Sequence, residues 1–567
     1  MKLAILADVH FHDLYGDYDF EGVINSRTGR CATVRTLKDT VESTRIFNES
    51  YFAFLAALDD IVAQGIRHII LAGDYSDDGQ RATVDGVVRI LEHYSEKHGV
   101  SFYAATGNHD TTRPFGGHHT KRFLREDGSF AVVTSDPSKA GSDTSCDVVI
   151  TDKMWGLGYA ENLQQLGRAG FAPHPDHLHW ETPFGRNPSL DERMFEIASA
   201  DGSRKAMVPD ASYLVEPFAG LWVLSLDTNV FLPKTNSEGF AGSTDSGWNV
   251  VATHKTQLLD WVRDVTQRAK NEGKKLLVFS HYPAVDYTNG TVAEQIALFG
   301  EQSFIKRNPT QTASIAALDS GLAVHFSGHL HIDAIGVHTD GERKVMNIAV
   351  PSIAAYPAAY KVVSFDGHAM AVETIHLDDV PRFDELFEHY RREPVSYGKI
   401  LETTSYREFL LEHLTQLVLH RHLPAEWPED LRALIETLSC LDLLVLTSMP
   451  DTEVGSAVAA ILSASQTGDA LAVATDLAAQ ARLTVEDFAA VSLKEMVIDW
   501  YRLRNAGSLA RRDLRPVAER CYEVLFEAFA ARGPFSPNSL QSKIATFTAI
   551  MRGYLRAPSS EALRIPL

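Results

Sequence analysis

Five short segments of the chain carry side chains suited to metal chemistry: Asp8-Val9-His10, Gly73-Asp74, Gly107-Asn108-His109-Asp110, Ser280-His281 and Gly328-His329-Leu330-His331. In extended chain, residues two apart point to the same side. Asp8 and His10 can therefore face one ion together, and His329 and His331 can converge as the chain turns. A carboxylate such as Asp74 can bridge two cations. Imidazole and the Asn108 amide oxygen can complete the ligand set without accumulating negative charge. Mixed nitrogen and oxygen ligation suits Mn, Fe, Zn or Co and disfavours a calcium site. The glycines before Asp74, Asn108 and His329 suit tight turns and close backbone approach.

Something must bring these scattered segments to one place. Short apolar runs lie at residues 2–7, 67–71, 101–105, 221–226, 275–279 and 323–327. They lack clean alternation, which predicts strands buried on both faces. Helical spacing occupies 51–64, 83–98 and 256–270 between them. Strand and helix in alternation predict an α/β layered core. Each of the five polar segments follows a predicted strand, at the sheet edge where such folds bind ligands.

Three turn-rich stretches, 11–48, 111–213 and 231–251, interrupt the pattern. The second is read as an insertion, either a lid or a plain surface elaboration. After residue 378 the strand pattern stops. Helices are expected at 409–420, 488–504, 514–532 and 540–555, with capping boxes at Ser405–Glu408 and Thr484–Asp487. The predicted division is a domain at 1–380 and an α-helical C-terminal domain at 381–567, a candidate surface for self-association.

The 567 residues are 45% hydrophobic and 22% charged, a globular composition long enough for two domains. A net charge of -21 disfavours an extended nucleic-acid groove. Cys31, Cys146, Cys440 and Cys521 are far apart in sequence and fit free thiols rather than a disulfide framework. No apolar stretch approaches the roughly 20 residues of a membrane span, and the run 3–7 is too short for a signal peptide core. A cytoplasmic protein without membrane association is expected.

The ordered set D-x-H, G-D, G-N-H-D, H and G-H-x-H resembles the calcineurin-like metallophosphoesterase superfamily, including its bacterial class III cyclic nucleotide phosphodiesterases. The resemblance spans residues 1–378. It implies a four-layer sandwich of two mixed β-sheets flanked by helices, with two divalent or trivalent ions (Mn, Fe or Zn). Asp8, His10 and His331 would hold the first ion, and Asn108, His281 and His329 the second. Asp74 would bridge them. His109 would face the leaving group, with Asp110 orienting its ring.

The implied activity is hydrolysis of a phosphate ester by a metal-bridging hydroxide. A phosphodiesterase acting on a small phosphorylated substrate, such as a nucleotide, is the leading expectation. A phosphomonoesterase or nucleotide pyrophosphohydrolase would use the same centre. A non-catalytic scaffold is the alternative of another class, and the complete ligand set argues against it.

Other residues receive plainer readings. Asp77, Asp78 and Gly79 are expected to make a turn before a helix. Purple acid phosphatases place a tyrosine ligand where this chain has Asp77, so that branch is not expected. His12, His118, His119, His174, His177 and His179 are assigned mostly to surface or lid. Asp227-Thr228-Asn229 is read as a turn, and Phe488, Met496, Trp500 and Tyr501 as core or interface.

Overall fold

The computed structural model describes residues 2–141, 146–453, 455 and 457–566. The three most apolar early runs form strands β1 (Lys2–Leu6), β2 (His68–Ala72) and β3 (Ser101–Ala105). They pair in parallel, with Ile5 opposite Ile70 and Ile70 opposite Tyr103. A parallel centre covered on both faces explains their lack of alternation. The antiparallel strands Ala359–Asp366, Ala369–His376 and Ala562–Pro566 extend this sheet on the β1 side to six strands.

A second sheet holds seven strands. At its centre, Leu221–Leu226 runs parallel to β4 (Lys275–Ser280), which runs parallel to β5 (Val324–Ser327). Arg343–Ala349 continues in parallel, and the outer strands are antiparallel. The sheets touch directly: Ser225 Oγ (3.1 Å) and Tyr213 OH (2.9 Å) both donate to the Ala104 carbonyl.

Helices cover the outer faces. Thr256–Asn271 and Gln311–Asp319 bury Leu258, Val262, Val265 and Ala317 against Leu224 and Val278 of the second sheet. On the first sheet, Gln64 after helix Ser50–Ala63 donates to Tyr360 OH at 2.7 Å. Helix Arg81–His98 ends on Gly99 in the left-handed conformation, the C-terminal signal visible in the sequence. The sandwich of two mixed sheets between helices is as expected.

Packing divides the chain into two compact units. One comprises Met1–Tyr287, Arg307–His413 and Glu561–Leu567; the other comprises Thr288–Lys306 and Leu414–Ser560. This boundary runs differently from the linear cut at 380/381. Tyr406 OH donates to Ile353 O at 2.6 Å and His413 Nε2 to Thr40 O at 2.9 Å, fixing residues before 414 to the first unit. Helical periodicity marks a buried face without saying which core buries it. Strand Ala562–Pro566 lies in a region expected to be all helical. It is short and pairs on one edge only, so it leaves little pattern.

The second unit is helical. Phe299, Trp427, Trp500 and Phe547 meet at its centre, with Trp427 5.1 Å from Phe299 and 5.0 Å from Phe547. Phe488, Met496, Trp500 and Tyr501 are all buried core. Thr484 and Asp487 form the expected capping box, but the helix breaks and restarts at Leu493–Ala506, with Ser492 as its new cap. Among the described residues, no single helix is long and apolar enough to cross a membrane.

One buried carboxyl in the first unit gives a stability signature. Glu49 is fully buried, its Oε1 accepts Tyr390 OH at 2.7 Å, and its Oε2 has no hydrogen-bond partner among the described residues. Burial lifts its carboxyl from 4.5 to about 7. Between those values the folded chain holds a proton that the unfolded chain has lost, so stability falls as pH rises through the window. Glu49→Gln mimics the neutral acid. It should match the parent below about pH 4.5 and exceed it above about pH 7 by up to about 3 kcal/mol. Melting curves across that range check this; parallel curves would contradict it.

Candidate metal centre

The five polar segments gather at the carboxyl ends of β1 to β5. The turns that aim them are unusual. Asp8, His10, Asp74, His329 and His331 all have positive φ, between 45° and 78°. Such conformations cost non-glycine residues about 1–3 kcal/mol each and cluster at functional sites. Close approach also needs glycine. A Cβ on Gly107 would lie 2.1 Å from Asp74 Oδ1, and one on Gly328 would lie 2.4 Å from Asp8 Oδ2.

Two adjoining ligand groups result. In the first, His10 Nε2 lies 2.8 Å from His331 Nε2, which is 3.7 Å from Asp8 Oδ1. In the second, His281 Nε2 lies 3.2 Å from His329 Nδ1 and 3.1 Å from Asn108 Oδ1. Asp74 belongs to both. Its Oδ2 is 3.7 Å from His10 Nε2 and 3.2 Å from His281 Nε2, while Oδ1 accepts the His109 backbone N–H at 2.7 Å. The sets Asp8–His10–His331 and Asp74–His281–His329 each converge tightly enough to hold an ion, as does His10–Asp74–His109. All seven expected ligands are thus brought together.

The donor chemistry fits metal ions. His331 Nδ1 donates to the Thr44 carbonyl and His281 Nδ1 to the Ala72 carbonyl, both at 3.2 Å. Their Nε2 atoms then face inward, the usual outer-shell arrangement for ligating histidines. Burial works against a charged His281, yet the Asp74 carboxylate lifts it from 6.5 to about 9, so an ion held there would displace its proton. Among the described residues, His10 Nδ1 and His329 Nε2 are buried without a hydrogen-bond partner. Burial pushes His10 and His329 well below the usual imidazole range and His331 to about 3, so all three rings are neutral and able to ligate a cation. Burial, together with the Asp74 carboxylate, pushes the Asp8 carboxyl up despite nearby His281. A buried pair of like charges calls for cations.

His109 stands at the rim, half-buried, its ring 4.9 Å from that of His10. Asp110 does not orient it. Asp110 Oδ1 accepts Ser76 N (2.9 Å) and Ser76 Oγ (3.0 Å), and Oδ2 accepts Gly107 N (2.8 Å), so it ties two ligand-bearing turns together. The ring Nδ1 is held instead by Asp78 Oδ1. Burial acts to raise the Asp78 carboxyl, but Lys121 and His109 outweigh it and hold it ionised. The expected turn is present, with Asp78 at φ 69°, yet its carboxylates do more than turn the chain.

Asp77 is buried among Arg35 (3.0 Å), Arg45 (2.7 Å) and Lys121 (3.2 Å). Arg45 also comes within 3.4 Å of His109 Nδ1. Arg35, Arg45 and Lys121 come from the stretches 11–48 and 111–213, where no ligand-like motif singles them out. Only the excess of Asp around Asp77 hinted that cations were needed.

The remaining histidines lie outside the ligand groups. His12 is buried, with Nε2 2.8 Å from the Thr33 carbonyl and its ring stacked on Phe123, so it is core rather than surface. His118 and His119 are tied to Ser135 (3.2 Å) and Thr112 (2.9 Å) inside the insertion. His179 pairs with Glu181 at 2.9 Å on an edge strand. Asn229, read as a turn residue, is buried against the Gly107 backbone.

Residues 1–177 match the protein family described as Calcineurin-like phosphoesterase. Over these residues the chain carries a calcineurin-like phosphoesterase domain match, which supports a metal-dependent phosphoesterase. His281, His329 and His331 lie beyond the matched residues, and the fold returns them to the same centre.

No curated protein sequence matches the chain. Among solved structures, a dimetal phosphatase from Danio rerio is similar at 13% identity and TM-score 0.32, over 66% of this chain and 96% of that one. A protein described as a 5'-nucleotidase from Staphylococcus aureus shows 11% identity and TM-score 0.27, over 64% and 51%. GAP50 of the Plasmodium inner membrane complex shows 10% identity and TM-score 0.26, over 70% and 95%. Overlaps this low add nothing to the family match.

Proposed function

We propose that the protein is a dinuclear-metal phosphodiesterase acting on a small diester such as a cyclic nucleotide. The observation that carries the reading is the position of Asp74 Oδ2 between His10 Nε2 and His281 Nε2. Asp8, His10 and His331 would hold one ion and Asn108, His281 and His329 the other, with Asp74 shared. The ligand types suit Mn, Fe or Zn. Ions held there would supply acidification of water and charge neutralisation on the phosphoryl oxygens.

The remaining chemistry falls to side chains. His109 Nδ1 is occupied by Asp78, which leaves Nε2 as the atom able to protonate a departing alkoxide. Asp78 keeps the ring in that orientation. Arg45 lies beside His109, with its guanidinium 3.4 Å from the ring Nδ1. Arg45 and Lys121 both lean on Asp77 and Asp78, so this rim carries little net positive charge. That balance suits a singly charged diester better than a doubly charged monoester. The cysteines form no disulfide among the described residues, which fits a reducing, cytoplasmic setting.

The test is hydrolysis of bis-p-nitrophenyl phosphate against p-nitrophenyl phosphate by the Mn-loaded protein. The diester should be preferred in kcat/KM by at least about tenfold, about 1.4 kcal/mol of differential transition-state binding. Preference for the monoester would replace this reading with a phosphomonoesterase.

A further inference from the structure

Asn229 and Tyr282 form a clamp that joins two ligand-bearing turns. Asn229 Nδ2 donates to the carbonyls of Thr106 (3.2 Å) and Gly107 (3.0 Å), the residues just before Asn108. Its Oδ1 accepts Tyr282 OH at 2.9 Å, and Tyr282 directly follows His281. Two carbonyls at the nitrogen fix the amide orientation, since a flipped amide would set oxygen against oxygen. The Tyr282 ring lies 4.4 Å from the ring of His329 and 5.0 Å from that of His281. One amide and one phenol therefore touch the surroundings of Asn108, His281 and His329 together.

The clamp is anchored from below. Asn229 N donates to Asp227 Oδ1 at 3.1 Å, and Asp227 also accepts Tyr159 OH at 3.1 Å. Lys255 reaches the Asp227 carbonyl at 2.7 Å. The Tyr282 hydroxyl has a second acceptor, Ser243 O at 2.9 Å, so its single proton is shared. All of these groups are buried. Among the described residues, Asn229 makes no hydrogen bond to the segments bearing Asp8, His10 or His331.

Resting on the two-ion reading above, we infer that Asn229 and Tyr282 are positioning residues that set affinity at one ion site, the one formed by Asn108, His281 and His329, and leave the other unaffected. Outer-shell partners of this kind are typically worth about 10–100-fold in metal affinity. Tyr282→Phe deletes one oxygen and keeps the ring against His329; Asn229→Ser shortens the amide arm. Mn²⁺ alone is titrated into the full chain by calorimetry, with electron paramagnetic resonance to separate coupled pairs from isolated ions.

The parent should bind two ions and show a coupled signal. Either variant should keep one ion at parental affinity and bind the other about 10–100-fold more weakly, with isolated-ion lines appearing at two equivalents. Two ions held as tightly as in the parent, or both weakened alike, would overturn the inference. A parent that binds no ion would instead overturn the two-ion reading, a failure seen before any variant is compared.

Discussion

Asp74→Asn is expected to lower turnover by about 10⁴-fold or more, the several kcal/mol that metal ions contribute to such reactions. The substitution is chosen to spare the fold. Asparagine tolerates the left-handed conformation that Asp74 adopts at φ 50°, and it keeps an oxygen for the His109 backbone N–H. What it removes is charge at the point shared by both ligand groups. Burial works against the Asp74 carboxylate, yet the imidazoles of His281 and His109 outweigh it and hold the group ionised. An amide cannot supply that negative charge to two cations. Metal content by elemental analysis should fall with activity while the melting temperature of the metal-free protein stays close to the parent. Full activity in this variant would mean that Asp74 is not shared between ions.

His109→Ala is expected to slow substrates with poor leaving groups by about 10²–10⁴-fold, the usual worth of a positioned general acid. Substrates that release p-nitrophenolate need little protonation and should lose much less. Metal content should be retained, because His109 stands at the rim and each main ligand group is complete without its ring. Asp78→Asn should move rates in the same direction by a smaller factor, since it loosens the ring without removing it. The readout is the slope of rate against leaving-group pKa. An unchanged slope would assign His109 another task.

Much of this arrangement is legible in the residues themselves. The runs ending in Leu6, Ala72 and Ala105 are apolar without a break because β1, β2 and β3 are covered on both faces. Their polar terminations at Asp8, Asp74 and Asn108 stand out for that reason. The strands Ala334–Asp340 and Ala359–Asp366 give weaker patterns, since antiparallel and edge strands mix polar and apolar residues. The residue that orients His109 is not Asp110, the one expected from the sequence. Asp110 is adjacent in sequence, but both its oxygens are used by turn N–H and hydroxyl groups, and Asp78 reaches the ring from another loop. Arg45 and Lys121 were hidden because cations recruited by tertiary packing carry no local spacing signal. The division of Thr288–Lys306 from its sequence neighbours is likewise a property of packing alone.

The claim beneath all of this is that one carboxylate side chain at the end of β2 serves two cations at once. Anomalous diffraction at the manganese edge from crystals soaked in Mn²⁺ tests it directly. Two peaks, each within bonding distance of Asp74, one beside His10 and His331 and one beside His281 and His329, are predicted. A single peak, or two peaks of which one lies out of reach of Asp74, would contradict the account.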